Sequence, residues 1–111
     1  MVHIDNVVMN VKDARRATDF WSRALGYRPA ADGLPVLVPP DGVGPRLVMD
    51  ETDRTHIDLY TANAQEQRAE IERLISLGAR RVPDWEYPPG AGFVVLEDTE
   101  GNVFCVLNAD S

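Results

Sequence analysis

The chain has 111 residues, 44% of them hydrophobic and 26% charged, which is typical of one globular domain and excludes an intrinsically disordered chain. Its formal net charge of −7 argues against binding to nucleic acids or anionic membranes, because both need a basic face. No apolar stretch approaches the roughly 18–20 residues that cross a bilayer. The N-terminus lacks a signal-peptide pattern and the single cysteine cannot form an internal disulfide, so we expect a cytoplasmic protein.

The first predicted element is a strand over residues 2–11. Side chains alternate between the two faces of a strand, and here the two faces differ. One face carries Val7, Met9 and Val11 and should pack against a helix. The other face carries Asn6, Val8 and Asn10. Unpaired polar groups on a central strand are costly, so this second face should line a cavity or meet a polar partner.

A helix and three short strands follow. Asp13 predicts the N-cap of the helix and Gly26 its C-terminal end. Its apolar stripe consists of Ala14, Ala17, Phe20, Trp21, Ala24 and Leu25. We expect Phe20 and Trp21 in the core. The strands are predicted near residues 27–30, 34–38 and 46–50, separated by turns rich in proline and glycine.

The same order of elements repeats in the second half. The sequence His-Ile-Asp-Leu-Tyr at 56–60 alternates polar and apolar residues, which predicts a strand. Asn63 with Glu66 predicts a capping box for a second helix, which Gly78 ends. Three short strands are predicted near residues 81–84, 93–97 and 103–107. Neither half can bury its own sheet face alone, so each needs the other half or a partner subunit.

The elements and their local sequences resemble the vicinal-oxygen-chelate superfamily, which includes glyoxalase I, bleomycin-resistance proteins and extradiol dioxygenases. The stretches that carry the resemblance are residues 7–13, Phe20-Trp21, Leu25-Gly26-Tyr27, residues 56–59 and residues 94–107. The resemblance is strongest to small glyoxalase-like proteins. It implies a single α+β domain over residues 1–111, with two βαβββ modules, about 1–52 and 53–111, whose curved mixed sheets form a cleft. It also implies a homodimer.

The resemblance further assigns four positions to metal ligands, which are His or Glu in metal-using members. Here these positions fall on Asn6, on a residue within 48–51 for which Asp50 is the best donor, on His56 and on Cys105. A neutral amide is a poor ligand for Zn²⁺, Ni²⁺ or Fe²⁺. We therefore expect no metal and no other cofactor, although Asp50 and Cys105 do carry donor atoms.

The candidate site residues each have a plain structural alternative. His56, Asp58 and Tyr60 share one strand face, where an imidazole beside a carboxylate would make a general base; the alternative is a polar edge strand in water. Cys105 lies in an apolar strand, which is typical of a small buried hydrophobe. Trp85 could close the rim of a pocket or pack on neighbouring prolines.

Two hypotheses about function follow. The first is a glyoxalase-like enzyme without the usual metal, performing isomerase or lyase chemistry on a small organic molecule. In it, His56 transfers the proton, Asp58 or Asp50 orients its ring, and Asn6 and Asn10 bind the substrate. The second is a protein that sequesters a small molecule or drug without catalysis, as bleomycin-resistance proteins do. An acidic chain would suit a cationic drug.

Overall fold

The computed structural model describes residues 2–31 and 34–109. By its internal contacts the chain divides into two compact units, residues 4–56 and residues 57–109 together with Val2 and His3. The boundary cuts one strand after its first residue, His56, which continues directly into the second unit. Each unit has the element order βαβββ. The predicted α+β class with two βαβββ modules is confirmed.

The first unit contains one helix and four strands. The elements are β1 (His3–Asn10), α1 (Ala14–Leu25), β2 (Arg28–Pro29), β3 (Val36–Val38) and β4 (Arg46–Asp50). The strand order is β2-β3-β4-β1, in which β1 runs parallel to β4 and the other pairs are antiparallel. The predicted strands therefore form, although the one expected at 34–38 begins only at Val36.

The core of the first unit lies between its sheet and α1. Leu37, Leu47 and Met49 are buried there. The partly buried residues packed against them are Val7, Met9, Val11, Ala14, Ala17, Trp21 and Tyr27. The prediction that the apolar face of β1 meets a helix is confirmed.

The predicted core stripe of α1 is too wide. Phe20 is 60% exposed, so the expectation that it lies in the core is wrong. Leu25, on the same stripe, is 46% exposed. Phe20 precedes Trp21, and successive residues on a helix are rotated by about 100°. When the indole of Trp21 packs on the sheet, the ring of Phe20 therefore points aside, and it contacts Trp21 edge to face at 5.1 Å between centroids.

The second unit repeats the pattern with a better anchored helix. Its elements are β5 (His56–Thr61), α2 (Ala64–Ser76), β6 (Arg80–Arg81), β7 (Phe93–Glu97) and β8 (Val103–Asn108). The strand order is β5-β8-β7-β6, with β5 parallel to β8. Asn63 caps α2 by accepting a hydrogen bond from the Glu66 N–H at 2.8 Å, as predicted.

Strand β6 is shorter than the predicted 81–84. The Val82 N–H reaches the Val95 carbonyl at 3.5 Å, and there the chain leaves the sheet. The hydroxyl of Tyr87 then accepts the Val95 N–H at 2.8 Å, so a side chain replaces the next strand contact. No helix in the described ranges has the length and apolar composition needed to cross a bilayer.

Candidate functional site

Strand β5 presents different residues to its two faces. Ile57 and Leu59 pack with the core under α2, together with Ile71, Phe104 and Val106. His56, Asp58 and Tyr60 alternate with these core residues and so share the opposite face. The sequence prediction of one polar face on this strand is confirmed.

His56, Asp58 and Cys105 come together on that face. Asp58 lies opposite Cys105 in the parallel pairing of β5 with β8. One nitrogen of His56, one carboxylate oxygen of Asp58 and the sulfur of Cys105 all lie within 4.8 Å of one another. Asp58 and Cys105 are buried, at 9% and 8% exposure. A titratable imidazole, a carboxylate and a thiol therefore share one enclosed patch, which we call the β5 site.

A backbone carbonyl fixes the orientation of the His56 imidazole. Its Nδ1 lies 2.8 Å from the carbonyl oxygen of Arg54, and its side chain is only 9% exposed. A carbonyl oxygen can only accept, so Nδ1 must carry the hydrogen and Nε2 keeps the lone pair of the neutral ring. This is the tautomer that leaves Nε2 able to take a proton or bind a metal.

The residues before His56 form a turn that supports the Arg54 carbonyl. Asp50 Oδ1 accepts hydrogen bonds from the N–H and hydroxyl of Thr52 and from the N–H of Asp53, at 2.8 to 3.0 Å. The two bonds from Thr52 and the one from Asp53 hold the pKa of Asp50 below its ordinary value, with a smaller contribution from the nearby imidazole of His56. Asp50 thus organises the turn through this oxygen.

Asn10 fastens the same turn to β1. Its side-chain Nδ2 donates to the carbonyl of Asp53 at 2.6 Å, and its backbone N–H donates to the hydroxyl of Thr55 at 3.0 Å. Asn10 is exposed. The structure therefore supplies the polar partner that sequence reasoning left open for Asn10, and that partner is protein backbone.

Asn6 and Val8 are both buried, at 7% and 6% exposure, and alternation puts them on the face of the first sheet away from α1. The Oδ1 of Asn6 accepts a hydrogen bond from Nε of Arg46 at 2.9 Å. Arg46 also approaches Asp5, with 3.4 Å between Nη2 and Oδ2. A guanidinium therefore stands beside the first position that the family resemblance assigned to a metal ligand.

The two aromatic candidates occupy more exposed places. Tyr60 is 37% exposed, and its ring centroid lies 6.0 Å from that of His3. Trp85 is half-buried in the loop between β6 and β7. A cleft beside this loop has Tyr87 and Phe93, and not Trp85, among its described lining residues.

The residues do not reproduce the four-position metal site that the resemblance implied. The Oδ1 atoms of Asn6 and Asp50 both accept hydrogen bonds from other protein groups, and the neighbour of Asn6 is a cation. His56 and Cys105 remain, joined by Asp58, which the family positions do not include. Imidazole nitrogen, carboxylate oxygen and thiolate sulfur are all ligands of Zn²⁺ in proteins. The β5 site therefore has three donor groups, but the family positions at Asn6 and Asp50 are not among them.

Sequence reasoning missed two groups that shape these surroundings. The carbonyl of Arg54 could not be found from the sequence, because every residue has a backbone carbonyl and the residue type does not mark this one. Arg46 could have been found from its place at the start of a strand beside Asn6, since the parallel pairing puts the two residues opposite each other.

Comparison with known proteins identifies the family. The model of the glyoxalase-like domain matches residues 6–107. The chain belongs to this family, and with it to the vicinal-oxygen-chelate superfamily. No curated protein shows significant sequence similarity to the chain.

Solved structures share the fold at low sequence identity. Methylmalonyl-CoA epimerase from Mycobacterium tuberculosis is 17% identical, with 94% of this chain and 85% of that chain covered and a TM-score of 0.56. A hypothetical protein from Bacillus halodurans is 14% identical, covers 96% and 93%, and has a TM-score of 0.60. A variant of Streptomyces coelicolor methylmalonyl-CoA epimerase, in complex with 2-nitronate-propionyl-CoA, is 16% identical, covers 100% and 99%, and has a TM-score of 0.58.

Proposed function

We propose that the chain is a glyoxalase-like enzyme that moves a proton on a small organic substrate through His56, without the metal usual in its family. The observation that carries the proposal is the hydrogen bond from Nδ1 of His56 to the Arg54 carbonyl. This bond fixes the tautomer in which Nε2 is basic, on a ring that is largely enclosed beside a buried carboxylate.

The chemistry is a proton transfer at a carbon next to a carbonyl group. Nε2 takes the proton, and the electron pair of the broken C–H bond moves into an enolate. Return of the proton to the other face or to a neighbouring carbon completes an isomerisation and regenerates the imidazole. Loss of a leaving group from the enolate would instead complete a lyase reaction. Neither route needs an oxidant or a reductant.

Asp58 has a distinct part in this proposal. Its carboxylate oxygen lies within 4.8 Å of a His56 ring nitrogen, close enough for its negative charge to favour the imidazolium that forms during the transfer. Asp50 and Asn10 act indirectly, because they hold the turn whose Arg54 carbonyl binds the His56 ring. They are positioning residues in this account.

The test is exchange of substrate hydrogen with solvent. Small carbon acids, including 2-oxo acids, a glutathione hemithioacetal and methylmalonyl thioesters, would be incubated with the protein in D₂O and followed by proton NMR. Loss of the C–H signal reports proton abstraction even when turnover returns the proton. His56→Gln should lower the exchange rate by at least about 100-fold, as expected for loss of a general base.

The chain offers a matched control, because it contains only two histidines. His3→Gln changes the other one, which is exposed on β1, and should leave exchange unchanged. Equal exchange by wild type and His56→Gln would contradict the proposal. Stoichiometric Zn, Ni, Mn or Fe in the purified protein, with exchange abolished by chelation, would overturn its metal-free part.

A second candidate, sequestration of a small molecule, is favoured by the apolar residues around the β5 site. Strand pairing places Phe93, Val95 and Leu107 on the same sheet face as Cys105, and such a wall needs no acid–base group to bind a ligand. A rise in melting temperature with a bulky cationic compound, together with no exchange in any carbon acid, would favour sequestration.

A homodimer belongs to the same proposal. Large apolar side chains are exposed in both units, Phe20 at 60%, Val43 at 75% and Leu77 at 65%, and burial against a second copy would remove such surface from water. Light scattering should give twice the 12.3 kDa mass of the chain. A monomeric mass at micromolar concentration would reject this part alone.

A further inference from the structure

A cleft of about 820 Å³ lies in the first unit and includes none of the residues of the β5 site. The described residues that line it lie in the first turns of α1, at the end of β2 and just before β3, and at and just after the end of β4. The described lining residues are Ala14, Arg15, Thr18, Pro29, Leu34, Pro35, Met49, Asp50 and Glu51. We call it the α1 cleft.

The cleft contains charged groups of both signs, and they are not paired with each other. Within the described ranges, the Arg15 guanidinium makes no hydrogen bond or ion pair with protein. Glu51 is turned toward the start of α1, where its Oε2 accepts the Ala14 N–H at 2.9 Å. Asp50 is anchored through Oδ1 to its own turn. Each carboxylate therefore keeps a second oxygen. Among the described lining residues Arg15 is the one cation, and it has no partner within the described part of the chain.

The remainder of the cleft is apolar, with one polar exception. Leu34 is 52% exposed and Met49 is 2% exposed, so the cleft runs from the first-unit core out to an exposed apolar side chain. The hydroxyl of Thr18 is buried and has no hydrogen-bond partner among the described residues, which is a costly state for a polar atom.

These features point to a ligand with both charges and an apolar body. A simple anion would pair with Arg15 but would be repelled by the two carboxylates. A simple cation would pair with the carboxylates but would be repelled by Arg15. We propose that the α1 cleft binds a free α-amino acid with an apolar side chain. Its carboxylate would pair with Arg15, its ammonium with Asp50 and Glu51, and its side chain would pack on Leu34 and Met49.

Calorimetric titration with leucine, methionine and phenylalanine tests the proposal. The decisive comparison uses two analogues of leucine that each lack one charge: isocaproate, without the ammonium, and isoamylamine, without the carboxylate. Leucine should bind at least about tenfold more tightly than either analogue, because each loses a charge-assisted hydrogen bond. Isocaproate or isoamylamine binding as tightly as leucine would overturn the zwitterion proposal, as would no binding of any amino acid up to roughly 10 mM.

Adjacent arginines provide the variant and its control. Arg15→Gln should weaken leucine binding by about tenfold, while Arg16→Gln, outside the described lining of the cleft, should leave it unchanged. Both residues are exposed on α1, so the two variants should unfold at the same temperature. Equal leucine affinity in the two variants would reject Arg15 as the binding group and with it the proposed site.

Discussion

The two units share one plan, but their helices are attached to their sheets differently. Trp21 of α1 and Ile71 of α2 occupy equivalent places, since each lies about two turns after the first residue of its helix. Ile71 is 3% exposed, whereas no residue of α1 is buried. Helix α2 also buries Gln67, whose Nε2 donates to the Val106 carbonyl at 2.9 Å. The second unit therefore has a helix anchored by both packing and a buried hydrogen bond.

The faces away from the helices differ in a related way. In the first unit, the polar atoms described at Asn6, Asn10 and Asp50 are bound to other protein groups. Around β5, by contrast, an imidazole, a carboxylate and a thiol are gathered within 4.8 Å. The equivalent strands therefore differ: side chains of β1 and β4 hold a turn, whereas β5 and β8 carry the reactive groups.

The largest difference in stability should come from the helix anchors. Ile71→Ala should lower the free energy of unfolding by about 3 kcal/mol, because it leaves a cavity among buried residues of the second core. Phe20→Ala should cost less than about 1 kcal/mol, because that ring is mostly exposed. Urea unfolding measures both values. Equal costs would contradict the assignment of Ile71 to the core and of the Phe20 ring to the surface.

A smaller effect is expected at the end of α2. Gly78 has φ = 119°, and a Cβ added there would lie 2.7 Å from Cγ2 of Thr99. Gly78→Ala should therefore cost about 2 kcal/mol, from backbone strain and the clash together. Gly101→Ala is the control, since its φ is also positive but nothing lies within 4 Å of the added atom. It should cost about 1 kcal/mol. Equal losses would exclude the contact with Thr99 as a cause.

The smallest effect concerns the Asp50 turn and depends on pH. The pKa of Asp50 is lowered in the folded chain, first of all by the Thr52 N–H, so its ionisation stabilises the fold above the unfolded-state pKa. That contribution is lost as the pH falls through the lower folded-state pKa. Asp50→Asn should reduce the loss of stability on acidification below about pH 4. Unchanged acid sensitivity, measured by thermal melts across that range, would show that the carboxylate charge does not stabilise the turn.

Much of the fold could be predicted because the local signals agree with it. Alternation fixed the faces of β1 and β5, and Asp13, Asn63 and Gly26 marked helix ends where the structure has them. The width of the α1 stripe could not be predicted, because a helical pattern does not say how far the sheet extends beneath it. Likewise β6 ends early because the Tyr87 hydroxyl, eight residues before Val95 in sequence, takes over a strand contact.

The site was predictable in part. The residue types and strand parity identified His56 and Asp58 as neighbours on one face, and the family resemblance pointed to Cys105. Their convergence within 4.8 Å depends on the register of β5 with β8, which no local pattern reveals. The partners of Asn10 and Asp50 are backbone groups of a turn, and such partners become visible only when the chain is folded.

The proposed proton transfer depends most on the state of the His56 ring. Nitrogen-15 NMR of imidazole-labelled protein, with His3→Gln to assign the signals, reads the tautomer and any bound metal together. At a pH where the ring is neutral, we expect a protonated Nδ1 and an unprotonated, metal-free Nε2, with no change on adding EDTA. A protonated Nε2, or an Nε2 signal that shifts when EDTA removes a metal, would contradict it.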